Sequence, residues 1–303
     1  MPTKIPPSFE EKSDDDLYIY LDAVLTYNQR FLQGTRLEWA IDPINQLLRR
    51  ETSPVRHIFP ISPASSSLSR HHCYRGGLMY HSIEVFYLAS TMWCPAIGVG
   101  PWSRDERAAL WIASLLHDMN KCCDPLGRSH YIANTLKNGA VSTAKPWKVN
   151  ENFLSLEGGS VDNILPPEDT HVVDPLEGTH GIMRLAVKVL NTAAKRIADG
   201  KISFLLACHC APEVRNLPED IQQAIFFHDG GYGQGRYEMN GNENRLTIML
   251  HAADMLSSRF ERDWDHALTP ISMLRDRLPP TAEEIRDNSQ NSETQQDNVE
   301  RES

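Results

Sequence analysis

The sequence predicts an all-α protein with one long irregular insertion and disordered ends. Three observations carry that reading. Apolar residues recur at the 3.6-residue helical period through most of the interior, a Pro- and Gly-punctuated stretch over 125–177 interrupts the period, and both ends are polar. The first sixteen residues are rich in Pro and acids, and the last seventeen hold one Val and otherwise only polar or charged residues. Such segments bury too little apolar surface to offset the entropy of ordering them. The folded body is therefore expected over 17–276, with a disordered segment at 1–16 and a polar, disordered tail at 277–303.

Taken in order, Leu17 to Leu32 and Leu37 to Leu48 read as helices, the second with a bend at Pro43. A Ser/Pro loop, PISPASSSLSRHH, leads to Gly76-Gly77 and an amphipathic run from Leu78 to Met92 that sets His81, Val85 and Leu88 on one face. Ser103 can cap the next helix, Asp105 to Lys121, which turns Ala109, Ile112, Ala113 and Leu116 inward and ends in HDMNKCCDP. In the insertion, the stretch PWKVNENFLSLEGG suggests a strand pair, a small β-hairpin. A loop of that length is a common seat of function. Its Trp147, Lys148 and Asn150 either line the mouth of a pocket or belong to that packed hairpin. Helical period resumes at Thr179 to Ala198, Ile202 to Cys210, Glu219 to Phe227 and Asn244 to Phe260. No internal repeat is visible, which excludes solenoids and propellers.

Composition narrows the function classes. Lys and Arg number 30 against 40 Asp and Glu, a formal charge of −10, which argues against a generally basic nucleic-acid coat. No apolar run approaches the ~18 residues of a membrane span, and MPTKIPPSFEEKSDDD lacks the basic-then-apolar pattern of a secretory signal. A cytoplasmic protein with reduced thiols and no membrane partner is expected. The six cysteines agree, since the vicinal Cys122-Cys123 and Cys208-x-Cys210 form neither a disulfide framework nor a C-x-x-C zinc site.

The chemistry lies in His81, His117, His180, His209, Asp118 and Asp254, which occupy helix positions otherwise reserved for packing. A carboxylate beside a histidine at the end of an apolar helix, as in SLLHD, is costly to bury unless a cation lies between them. Asp254 makes the same demand in IMLHAADMLSS, where Met249, Leu250 and Ala253 mark the buried face. Mixed imidazole and carboxylate ligation suits Mn, Fe, Ni, Zn or Co better than Ca and leaves positions open for water and substrate. Open positions point to catalysis. A second dyad, His228-Asp229, reads instead as a helix cap before the turn GGYGQG, which lacks the strand-then-helix context of a dinucleotide loop.

His81, then His117-Asp118, then Asp254 resembles the H…HD…D signature of the HD-domain superfamily of metal-dependent phosphohydrolases. HDMNK stands where many members have H-D-x-G-K, with Asn120 in place of the usual Gly, and HAADMLSS is similar to the family's last metal-binding helix. His180 in THGIM and His209 in ACHCAPE stand where two-metal members place further histidines. The resemblance implies an HD-domain helical bundle holding one or two divalent ions (Mn, Fe, Ni, Zn, Co or Mg). By that carry-over His81, His117 and Asp254 hold the first metal, His180 and His209 the second, and Asp118 bridges both. Asp118 and Lys121 become the catalytic residues, with Lys121 neutralising phosphate charge while a metal-activated hydroxide attacks.

Residues 71–82, HHCYRGGLMYHS, narrow the likeness through an HHxxxGGLxxHS pattern. It is similar to that of HD-type 3′-to-5′ exoribonucleases and of HD-type relaxase domains of integrative conjugative elements. Gly76-Gly77 would let backbone approach a phosphate where the helix opens, with His71, His72 and Arg75 as added donors, so these five are the expected substrate-binding residues. A weaker likeness to phage-encoded HD hydrolases rests on LLHDMNK, a PLxxxHG turn and a late LHAADM helix. The expected activity is hydrolysis of a phosphoester in a nucleotide or single-stranded nucleic acid. Two alternatives stand beside it. One is a relaxase domain acting with mobile-element DNA-processing partners, for which Tyr74, Tyr80 and Tyr87 lie near the site. The other is a metal-stabilised binding or regulatory module without turnover.

Overall fold

A computed structural model describes residues 13–50, 53–67, 70–92, 99–124, 127–151, 199–228, 243–260, 270–276, 278–288 and 290. The expected helix at Thr179 to Ala198, and with it His180, lies outside the described residues. What is described is mostly helical, with a single two-stranded sheet among those residues.

Helix α1, Asp14–Leu32, starts at Ser13. The Ser13 hydroxyl accepts the Asp16 N–H, and the Asp16 carboxylate accepts the Ser13 N–H, a reciprocal cap reinforced by three acids in the first turn. A 3₁₀ turn at Glu38–Ala40 leads to α2, Ile41–Arg49. Pro43 falls in the first turn of α2, where its missing N–H has no partner to lose, and the helix expected from Leu37 to Leu48 is divided just before it into the 3₁₀ turn and α2. A short α3, Pro54–Ile58, leaves no mark on the periodicity.

The central helix is α4, Gly77–Thr91. Its sequence pattern is amphipathic, yet from Gly77 to Ser90 only Tyr87 is not buried. A helix covered on every side is the middle of the molecule. Against it lie α5, Arg104–Leu116, the late helix α8, Arg245–Phe260, and α9, Pro270–Asp276. Between α5 and α8 in sequence come α6, Asp199–Cys210, and α7, Glu219–Phe227, which packs on α5 and α8. Phe31, Phe86 and Trp111 meet with ring centroids 5.0–5.1 Å apart, joining α1, α4 and α5. The Trp111 indole N–H donates to Asn28 Oδ1 and Asn28 Nδ2 to Asn45 Oδ1, so the polar edge of this cluster is also satisfied.

Helix α5 begins on the expected cap, Ser103, paired reciprocally with Glu106. It does not run to Lys121. The helix stops at Leu116, His117 caps it, Asp118 leaves helical geometry (φ −111°, ψ 18°), and Met119–Lys121 form a 3₁₀ turn. Asn120 holds that turn against α6: its N–H donates to Ser203 Oγ, which donates back to Asn120 Oδ1.

The insertion does contain a strand pair, with a different partner from the one expected. β1, Tyr131–Ala133, pairs antiparallel with β2, Trp147–Val149, in the register Tyr131↔Val149. The boundary at 277 also moves. Residues 282–288 are helical, Thr281 is buried, Ala282 N–H donates to the Trp102 carbonyl, and Arg107 donates to the Pro279 carbonyl. These groups give a partner to the Nη2 of the buried Arg107 and to a backbone carbonyl, which composition alone does not reveal. Among the described residues no helix is long and apolar enough to cross a membrane, and Cys73, Cys122, Cys123, Cys208 and Cys210 are buried free thiols.

The glycines opening α4 serve packing. Gly76 is left-handed (φ 78°), and a Cβ on Gly77 would lie 2.1 Å from the His72 carbonyl oxygen. Gly77→Ala should therefore lower unfolding stability by about 3 kcal/mol or more, because backbone must move. Gly139→Ala, left-handed but with nothing within 4 Å, should lose only about 1 kcal/mol. Urea midpoints of the two variants test the contrast.

Candidate metal centre

Three helices deliver four groups to one point: His81 from the middle of α4, His117 and Asp118 from the end of α5, and Asp254 from α8. Their ligand atoms all lie within 4.8 Å of one another. His81 Nε2 is 3.1 Å from Asp254 Oδ1, 3.4 Å from Asp118 Oδ2 and 3.3 Å from His117 Nε2. His117 Nε2 is 3.6 Å from Asp118 Oδ2 and 3.9 Å from Asp254 Oδ1. Both histidines and Asp118 are buried, and Asp254 retains 15% exposure.

The proton positions follow from the hydrogen bonds. His117 Nδ1 faces the Ser114 carbonyl at 2.8 Å, so Nδ1 carries the proton and Nε2 presents a lone pair. His81 Nδ1 faces Ser257 Oγ at 2.9 Å, and Ser257 gives its own proton to Glu84 Oε2. Ser257 therefore accepts from His81 Nδ1–H, and His81 Nε2 is the second lone pair. Two imidazole lone pairs and two carboxylate oxygens converge with no donor among the four. Such a set could hold a cation, and the residues fit a divalent metal ion.

The electrostatics agree. Burial disfavours a charged His81 ring, but the hydrogen bonds to Asp118 and Asp254 outweigh it and raise its pKa to about 9. A cation bound at His81 Nε2 would take the place of that proton. Burial pushes His117 down to about 4, against the pull of Asp118. Burial also works against the charge of Asp118, yet Lys121 and the neighbouring histidines hold its carboxyl well below the usual carboxylate range. Lys121 Nζ is 2.5 Å from Asp118 Oδ2, and this contact keeps the ammonium charged despite burial.

Asp118 also has a second oxygen to satisfy. Oδ1 is buried and makes no hydrogen bond among the described residues, and His228 Nε2 stands 3.5 Å from it. His228 caps α7 as expected for that dyad, but its ring turns into the site, 4.8 Å from the His117 ring in an edge-on contact. Its Nδ1 faces the Ile225 carbonyl at 2.8 Å, repeating the His117–Ser114 arrangement three residues back along a helix end. A signal existed in the sequence, since IFFHD repeats the pattern of SLLHD. His209, by contrast, lies in the last turn of α6, partly buried and outside the four-residue group. Asp229 lies outside the described residues.

The expected substrate contacts divide. His71 sits beside the site, its ring 4.8 Å from that of His81, and burial lowers its pKa well below the ordinary value. His72 is wholly buried with a left-handed φ of 46°, and its Nε2 pairs with Glu84 Oε2 at 3.0 Å. It belongs to the support of His81, through Glu84 and Ser257, rather than to a substrate surface. Arg75 is ion-paired with Asp14 at the start of α1. Gly76 and Gly77 are buried against the His72 backbone. Tyr74 and Tyr80 are buried beside the His72 ring.

No family model, curated protein or solved structure matches the chain.

Ser257 is the test of the proton assignment. Ser257→Ala removes the acceptor that fixes His81 Nδ1–H and should weaken Mn(II) or Zn(II) binding roughly tenfold to a hundredfold. Titration of the metal-free protein reads this directly, and Ser257→Thr, which keeps the hydroxyl, should restore most of it.

Proposed function

We propose that the chain is a metal-dependent phosphohydrolase of the HD-domain type, hydrolysing a phosphoester of a nucleotide or nucleic acid. The observation that carries this reading is the convergence of four ligand atoms, from the buried His81, His117 and Asp118 and the partly buried Asp254, with a lysine beside them. A divalent ion held there would polarise a phosphoryl oxygen and lower the pKa of a water. The protein's own groups supply the rest. His117 and His81 are kept with Nε2 facing inward by Ser114 and Ser257. Asp118 is held ionised, and Lys121, which now balances Asp118, is placed to meet phosphate charge once that carboxylate is ligated. Asp254 and Lys121, 15% and 21% exposed, are the members of the site that reach solvent, so substrate approaches on their side.

Asp118 Oδ1, buried with His228 Nε2 3.5 Å away, adds His228 to the residues that could hold a second ion. In this reading His228 takes the position that sequence resemblance gave to His209.

Asp118→Ala should abolish metal retention, measured as metal per chain after gel filtration. It should also lower Mn-supported hydrolysis of bis(p-nitrophenyl) phosphate and of a 5′-labelled oligonucleotide by about a thousandfold or more. Undiminished hydrolysis in that variant would overturn the assignment. His228→Ala should retain one ion per chain while turnover falls roughly tenfold to a hundredfold.

A further inference from the structure

We propose that the β1–β2 hairpin is a binding arm for single-stranded nucleic acid that delivers the strand to the Lys121 side of the metal centre. The inference deepens the phosphohydrolase reading by naming its substrate class, and rests on that reading for the fate of the bound strand.

Charge provides the first observation. The segment 127–150 contains Arg128, Lys137, Lys145 and Lys148 and no Asp or Glu. A chain with 40 acids in 303 residues would place about three in a stretch of that length. Arg128 is committed to Asp124, Nε to Oδ2 at 2.6 Å. Lys148 is 43% exposed and meets Glu151 only at 3.8 Å. Lys137 and Lys145 are exposed and form no ion pair among the described residues. A local excess of cations on a protein of net charge −10 opposes the field of the whole chain, which suits an anionic partner bound at this place alone.

The second observation is placement. The hairpin grows from the residues that follow Lys121. His130 N–H donates to the Cys122 carbonyl, Arg128 N–H to Asp124 Oδ1, and Asn150 N–H to the His130 carbonyl. His130 and Tyr131 lie within electrostatic reach of Lys121, and His130 also of Asp118. The base of the arm therefore lies beside Lys121, one of the two members of the site that reach solvent.

The third is surface chemistry. Directly paired residues in an antiparallel ladder share a face, so the register puts Tyr131, Val149, Ala133 and Trp147 on one side and Ile132 with Lys148 on the other. The face that starts beside Lys121 at Tyr131 thus continues to Trp147. Val149, Leu136 and Val141 are half exposed. An aromatic face on a hairpin that also carries lysines at its other face and at its turn matches the chemistry of single strands, whose unstacked bases offer flat apolar faces and whose phosphates demand cations. A free mononucleotide would use only the base of such an arm.

Fluorescence anisotropy of a labelled 20-nucleotide single strand, with full-length protein in EDTA so that nothing is cleaved, provides the test. The wild-type chain should bind the single strand more tightly than a duplex of the same sequence. Lys145→Gln/Lys148→Gln should reduce the slope of log K against log salt by about 1.4, roughly 0.7 for each phosphate that is no longer neutralised. Trp147→Ala should weaken binding by roughly tenfold or more with little change in that slope. Thermal unfolding and metal content should match wild type in both variants, excluding misfolding as the cause. Wild-type affinity and slope in both variants, equal binding of duplex and single strand, or no binding by the wild-type chain would each overturn the proposal. The phosphohydrolase reading is judged separately by metal content and hydrolysis in Asp118→Ala, so either idea can fail while the other stands.

Discussion

The burial of two carboxylates, Asp118 and Asp254, where helices meet is the constraint that organises the molecule. Asp118 is buried against imidazole nitrogens, Asp254 keeps only 15% exposure beside them, and an ionised carboxylate in such a place must be compensated locally or lose its charge. The surrounding structure answers that demand in detail. Helix α5 gives up its last turn so that His117 and Asp118 face the same point and Lys121 returns to Asp118. The central helix carries a histidine in an otherwise apolar environment, and a buried chain of hydroxyl and carboxylate, Ser257 and Glu84, fixes which nitrogen of that histidine is available. His72, held in a strained left-handed conformation, completes the chain from the other side of Glu84. The strain and the tight backbone contact at Gly77 stand together because both belong to the loop that supports this network.

Much of this is legible in the sequence, for identifiable reasons. The helical period finds α1, α6, α7 and α8 within a few residues because their apolar faces are regular and their ends carry capping residues or breaks. His81, His117, Asp118 and Asp254 stand out because ionisable groups at core positions conflict with the pattern around them, and such conflicts concentrate at functional sites. What escapes is whatever depends on the meeting of distant segments. Periodicity cannot show that α5 ends at Leu116, because the 3₁₀ turn after it keeps Met119 buried as a helix would. His72 looks like a donor for substrate, because nothing in a linear motif reveals Glu84 behind it. His228 is readable as a helix cap, which it is. Its second role depends on where α7 lies against α5, and only the repeated spelling of the two dyads hints at it.

The polar C-terminal residues show the same limit in another form. Composition marks 277–303 as unable to form a core of its own, and that remains sound for the stretch taken alone. Residues 278–288 order themselves by borrowing a surface, through Trp102, Arg104 and Arg107 at the start of α5. Burial of Thr281 and the bonds of Glu284 back to Thr281 finish that docking.

The interactions that close the site span most of the chain. His81 and Ser257 are 176 positions apart, Glu84 and Ser257 173, and Arg107 and Pro279 172. Such topology is slow to assemble, since the entropy of closing long loops is spent before the new interactions reward it. During synthesis α4 emerges early, while α8, which covers it and brings Asp254, and α9 follow more than 150 residues later. Until then the nascent chain carries a central helix without its cover, and Glu84 without Ser257. The same architecture that gathers these groups from distant segments thus leaves the site incomplete until nearly the whole described chain has been made.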